Sequence, residues 1–149
     1  MGIAALIAWV LTALGGFVML GIWVARGGTR RPRRSAFPPG LIFGHFGLAA
    51  AGLVLWIVYL VTDSAVLGWV ALILLVPVAV LGFTMLVRWI PAYQAGRTPV
   101  TAGAKRTART GGTGLPERAF PVPVVGAHGL LAVATVVLVL LADLGIGGS

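Results

Sequence analysis

The feature that most constrains this chain is a succession of four uncharged apolar runs, Met1 to Ala25, Leu41 to Val61, Ala65 to Val87 and Val122 to Ala142. A run of 21 residues rises about 31 Å as an α-helix, close to the hydrocarbon thickness of a bilayer. A membrane-spanning strand alternates lipid-facing and lumen-facing residues over about ten positions. Val66 to Val76 is instead apolar at nearly every position, so the runs read as helices. With 59% hydrophobic and 9% charged residues, 149 residues cannot enclose so much apolar material in a soluble core. An ordinary soluble domain and a basic nucleic-acid-binding domain are both excluded. The expected fold is all-α, one membrane domain over 1–149 forming an integral four-helix bundle of up-down topology. There is no Cys, so disulfides, thiolate chemistry and Cys-based metal sites are absent.

The charges fix an expected orientation. Arg26, Arg30, Arg31, Arg33 and Arg34 lie in the first connection (26–40), and Arg88, Arg97, Lys105, Arg106, Arg109 and Arg118 in the third (88–121). The second connection, Thr62-Asp63-Ser64, has no positive charge. By the positive-inside rule both basic loops are cytoplasmic, so both termini lie outside a bacterial plasma membrane. Asp63 and Asp143 then sit at outer helix ends, while Glu117, in a basic loop, decides nothing. The first run lacks a basic n-region and reads as a span rather than a cleaved signal. Loop 26–40 is too short and proline-rich for a domain. The stretch from Ile90 to Phe120, poor in large apolar residues, is expected to be disordered. The partner expected for these loops is the anionic headgroup layer, each basic residue contributing about 1 kcal/mol, rather than nucleic acid.

Trp23, Trp89 and Tyr93 near the inner boundary and Trp56, Tyr59 and Trp69 near the outer one read as interfacial anchors. Pro77 interrupts the third run and predicts a kink. Ala8, Thr12 and Gly16, and Gly40 and Gly44, are small residues at four-residue spacing, suited to close helix contact with a larger membrane partner or a second copy.

A partial duplication is also visible. Phe37-Pro38 precedes the second run and Phe120-Pro121 the fourth, and eight residues after each Phe stands a histidine, His45 and His128. Leu48, Ala49, Ala51, Val54 and Leu55 match Leu131, Ala132, Ala134, Val137 and Leu138 at the same offset. The first and third runs show no comparable match, so a duplicated helical hairpin is expected from the second and fourth alone. The two histidines, the only ones in the chain, should lie at similar depth near the inner side. Below them Ala49 and Gly52, and Ala132 and Thr135, continue a small-residue face. In a sequential bundle helices two and four are diagonal, with axes about 11–14 Å apart. Two imidazoles could span that gap with a haem between them. Zinc needs three or four ligands, which this chain does not bring to that depth.

The pair resembles the arrangement in small b-type membrane cytochromes, including the cytochrome b561-like group, where histidines on separate helices hold haem. That resemblance implies haem b with His45 and His128 as axial ligands, and Arg34 or Arg118 near the propionates. The group usually carries histidines for two haems, and this chain has enough for one. In overall make-up, with ten Arg to one Lys, the chain resembles small uncharacterised four-span proteins of high-GC bacteria, actinobacteria above all. Three functions are therefore expected in order: an accessory or interaction subunit, a bis-histidine haem protein working in electron transfer, and a small oligomeric transporter. Enzyme is the least favoured class, since no acid-base set gathers at one depth.

Overall fold

A computed structural model describes residues 1–30, 35–95 and 114–146. Among these the chain is all-helical, with α1 (Gly2–Ala25), α2 (Pro39–Thr62), α3 (Ala65–Ala95) and α4 (Val122–Asp143), and a 3₁₀ turn (Pro116–Ala119) leading into α4. All four helices are long and apolar enough to cross a bilayer. Their outward faces carry largely exposed Ile3, Ile7, Val61, Val66, Ile73 and Leu130. Water would penalise such a surface and lipid does not, so the chain is a multi-pass membrane protein.

Local chemistry sets the helix ends. Pro38 and Pro39 open α2 and Pro121 opens α4, positions where a missing N–H costs nothing. Gly27, at φ +83, ends α1, and the N–H groups of Gly27 and Gly28 bond back to Val24 and Trp23. Asp63 takes the left-handed conformation at the end of α2, and α3 starts two residues later.

Two expected boundaries need correction. Helix α3 does not stop at Val87 but continues through Arg88 and Pro91 to Ala95. Arg88 ends the apolar run without ending the helix, because a long cationic side chain can snorkel to the interface. The stretch from Ile90 to Phe120 was expected to be disordered, yet its described parts are structured. Ala92, Pro116, Glu117 and Phe120 are buried there. Residues 96–113 lie outside the described residues.

Helix α2 packs chiefly on α3 and α1 on α4, while the α1/α2 and α3/α4 seams are thinner and α2 faces α4 across a diagonal. Lipid tails are as apolar as leucine, so these pairs are held by close packing and interhelical hydrogen bonds. One packed layer comprises Ala5, Trp9, Trp56, Ala71, Leu75 and Val139. The other, at the basic end, comprises Trp23, Phe37, Ile42, Trp89 and Phe120. Trp23, Trp56 and Trp89 are therefore core residues and not interfacial anchors. Trp56 donates its indole N–H to the Gly2 carbonyl at 3.3 Å, and Trp69, 42% exposed, keeps the anchor position.

The first and third helices are related after all. At an offset of 66, Ala5, Gly16, Phe17, Met19 and Trp23 of α1 meet Ala71, Gly82, Phe83, Met85 and Trp89 of α3. Ala5 and Ala71 are both fully buried, as are Trp56 of α2 and Val139 of α4, which share the offset of 83. The four helices form a tandem pair of helical hairpins. Each hairpin's first helix packs on the other hairpin's second, as in a pseudo-two-fold dimer.

Candidate functional site

His45 is the seventh residue of α2 and His128 the seventh of α4. Because the hairpins are repeats, the two rings meet near the pseudo-two-fold axis, between the two packed layers. Their centroids are 6.3 Å apart and their planes are inclined at 55°. His45 Nδ1 lies 2.9 Å from the Val78 carbonyl of α3, and His128 Nδ1 lies 2.8 Å from the Thr12 carbonyl of α1. Val78 and Thr12 are themselves equivalent by the offset of 66. A carbonyl can only accept, so each Nδ1 carries the proton and each neutral ring keeps a lone pair on Nε2. Among the described residues, the buried side-chain polar atom without a partner lies elsewhere, at Asp143 Oδ2.

Glycines flank both rings. A Cβ at Gly16 would stand 3.3 Å from His128 Cε1, and one at Gly82 would stand 3.3 Å from His45 Cε1. Gly15 also borders His128. A plane perpendicular to the α2–α4 diagonal runs along the α1–α3 diagonal, where Gly16 and Gly82 present no side chain.

The ring separation can be compared with coordination geometry. Metal–nitrogen bonds of about 2 Å, with about 1.1 Å from each nitrogen to its ring centre, would place the centroids of two imidazoles that face one metal from opposite sides about 6.2 Å apart. Ligating histidines commonly donate their other N–H to a backbone carbonyl, which fixes tautomer and ring orientation. Both Nδ1 atoms are bonded to backbone carbonyls in this way. Among the described residues no group of three His, Cys, Asp or Glu is placed to hold a bare metal ion.

Other predicted features fall differently. The small face below the rings is filled from within. The Trp9 indole stands 3.1 Å from where a Gly52 Cβ would be, and Thr135, 2% exposed, bonds the Leu131 carbonyl. Ala8, Thr12 and Gly16, expected to meet a partner protein, face inward. Ala8 is buried, Thr12 Oγ1 is 3.5 Å from Thr135 Oγ1, and Gly16 meets His128. Arg118 is exposed and donates from Nε to the Ala92 carbonyl at 3.0 Å, closing the end of α3. Arg34 lies outside the described residues.

One group was missed. Glu117, fully buried, takes hydrogen bonds from the Ala36 N–H and from Ser35 Oγ, the latter at 3.1 Å. Ser35 Oγ in turn accepts from Trp23 Nε1 at 2.9 Å, and Trp89 Nε1 donates to the Glu117 carbonyl at 3.1 Å. The equivalent tryptophans Trp23 and Trp89 are thus both tied down, one to Ser35 before α2 and the other to Glu117 before α4. With Phe37 and Phe120, whose centroids are 6.1 Å apart, they form a cap over the basic end. The missed signal was a lone acidic residue three positions before a Phe-Pro boundary in an otherwise basic loop. No family model, curated protein or solved structure matches the chain.

Proposed function

We propose that this chain is a membrane haem protein in which His45 and His128 are the axial ligands of one b-type haem. The observation that carries the reading is the imidazole pair: 6.3 Å between centroids, with both Nδ1 groups committed to backbone carbonyls. Haem, when bound, supplies one-electron redox chemistry. The chain's residues do the rest. Val78 and Thr12 carbonyls hold each ring in one tautomer, Gly16 and Gly82 let the α1 and α3 backbones approach the rings, and the cap covers the basic end. Arg118 and Arg34 are the basic residues at this end expected to meet the acid edge of the ligand.

Depth decides what such a centre does. The histidines lie six residues, about 9 Å, from the basic ends of their helices, and about 26 Å from the end of α2 at Thr62. Electron exchange is therefore proposed at the basic side, which the positive-inside rule makes cytoplasmic. The accessory-subunit reading is weakened because the small face of α1 is spent on α4. A transporter reading has no broken helix to rest on, since α3 continues through Pro77.

The test is an absorption spectrum of protein purified in mild detergent from haem-replete cells. A Soret band that shifts on reduction is expected, absent from His45→Ala and from His128→Ala while far-ultraviolet circular dichroism stays helical. Wild-type protein without haem from such cells would overturn the proposal.

A further inference from the structure

Because α3 runs on to Ala95, Arg88 stands on a helix surface and not in a loop. Its neighbour Trp89 points inward and donates to the Glu117 carbonyl, just before α4 begins at Val122. Residue 88 is therefore level with the boundary of the hydrocarbon at the basic end. Arg88 is exposed, and among the described residues its guanidinium has no hydrogen-bond or ion-pair partner. The equivalent position on α1, at the offset of 66, is Ile22, so only one of the two repeats carries this charge.

An apolar groove of about 450 Å³ leads away from the guanidinium, lined by Val80, Phe83, Thr84, Val87 and Arg88 of α3. These residues share one face of the helix, opposite Val78 and Gly82, which meet His45. Thr84 spends its hydroxyl on the Val80 carbonyl at 2.8 Å, and Phe83 and Val87 are 62% and 66% exposed. From Arg88 to Val80 the face rises about 12 Å, against about 15 Å of hydrocarbon in one leaflet. A cation at the interface with hydrocarbon walls over most of a leaflet matches a phospholipid with an anionic head. The groove in the α1/α4 seam, along Leu11, Gly15, Val124, Ala127 and Leu131 to His128, differs. It carries no charge, and His128 Nδ1 is already committed to the Thr12 carbonyl. It gives a headgroup nothing to pair with.

We propose that Arg88 and this groove bind one anionic phospholipid from the leaflet at the basic end, its phosphate paired with the guanidinium and one acyl chain lying along Val87, Phe83 and Val80. A guanidinium donates paired hydrogen bonds to phosphate oxygens. A zwitterionic lipid brings the same phosphate together with a compensating ammonium, so the site prefers a headgroup of net negative charge. One lipid is held per chain, because α1 carries Ile22 in place of the arginine. The site lies on the outer face of α3, away from the histidines, and does not depend on what they hold.

Full-length protein in mild detergent is mixed with phosphatidylglycerol or phosphatidylcholine of the same acyl chains, and retained lipid is counted by native mass spectrometry. Wild type should hold one phosphatidylglycerol, about fivefold more tightly than phosphatidylcholine. Arg88→Ile, which installs the residue of α1, should abolish that preference, while Arg118→Ala should keep it. Val80→Trp, which fills the groove and leaves Arg88 in place, should weaken retention of both lipids severalfold. Glycerophosphoglycerol, the same headgroup without chains, should fail to displace the lipid at equal concentration. Displacement by it would show an anion site with no place for a chain and overturn the proposal. A preference for phosphatidylglycerol that survives Arg88→Ile overturns it as well. Should that variant fail to fold, Val80→Trp decides, and unchanged retention there overturns the proposal equally.

Discussion

Replacing Glu117 by Gln changes no volume to speak of and removes a charge from a basic loop, yet it should destabilise the bundle by about 3 kcal/mol. Ser35 Oγ accepts two hydrogen bonds, from Trp23 Nε1 at 2.9 Å and from the Phe37 N–H at 3.0 Å. A hydroxyl has two lone pairs and one proton. Both lone pairs are taken, so the proton goes to Glu117 Oε2, while Oε1 takes the Ala36 N–H. Gln has one carbonyl oxygen for these two donors. Whichever way the amide is turned, its NH₂ group faces either the Ser35 hydroxyl or the Ala36 N–H. The loss is one bond to a charged acceptor, about 1.5–3 kcal/mol, together with a buried donor left without a partner, about 1–3 kcal/mol. Arg118→Ala, one residue away and exposed, should cost under about 1 kcal/mol, since it loses one hydrogen bond at the surface. Reversible unfolding in mixed micelles, read by tryptophan fluorescence, reports on the cap directly because Trp23 and Trp89 are part of it. A double-mutant cycle with Ser35→Ala and Glu117→Ala should give a coupling of about 1–3 kcal/mol. A Glu117→Gln protein within about 0.5 kcal/mol of wild type would refute the hydrogen-bond accounting, because that is the range of an ordinary surface substitution.

Three further outcomes are expected. Gly82→Val and Gly16→Val should each displace a histidine ring and abolish or split the Soret signal, whereas Gly21→Ala, with nothing within 4 Å of its Cβ, should leave the spectrum unchanged. Asp143→Leu, which installs the residue found at the equivalent position Leu60, should raise stability by about 1 kcal/mol in the same unfolding assay, because Oδ2 is buried without a partner; a loss of stability would show that this carboxylate has a role. The chain contains no Cys, so single introduced cysteines report orientation cleanly. Ser64→Cys should react with an impermeant maleimide on intact cells and Thr29→Cys only after lysis, and the reverse pattern would invert the proposed topology.

The helices were legible because bilayer thickness imposes a length and lipid removes the need for a polar face, so uncharged runs alone located all four. Helix ends were less legible. Charge marks where hydrocarbon stops, and Arg88 shows that a helix can continue past that point to Ala95. The aromatics misled for a related reason. Trp and Tyr favour the interface on average, but Trp23, Trp56 and Trp89 each have a fixed acceptor for the indole N–H inside the fold. No composition rule can see that acceptor. The histidine pair was legible from its repeat spacing, while the partner carbonyls of Val78 and Thr12 were not, since any backbone carbonyl looks alike in sequence.

The repeat between α1 and α3 is readable in the sequence at an offset of 66, and it changes the meaning of the site. Had only α2 and α4 been related, two histidines at one depth could be a coincidence of helices that share an entry signal. With all four helices related, the rings, their carbonyl partners and their flanking glycines form one arrangement made twice and turned about an axis. A site on such an axis suits a ligand that presents the same face to both sides, as a macrocycle does to two axial imidazoles. The positions where the halves differ then carry their own information. Gly126 and Gly129 against Phe43 and Phe46, and Asp143 against Leu60, break the symmetry at the edge of the bundle and at its far end, while the histidines and Gly16 and Gly82 keep it. The two halves are thus alike where the imidazoles meet and unlike at the edge and far end of the bundle, so the histidine pair belongs to the repeated part of the structure and not to either hairpin alone.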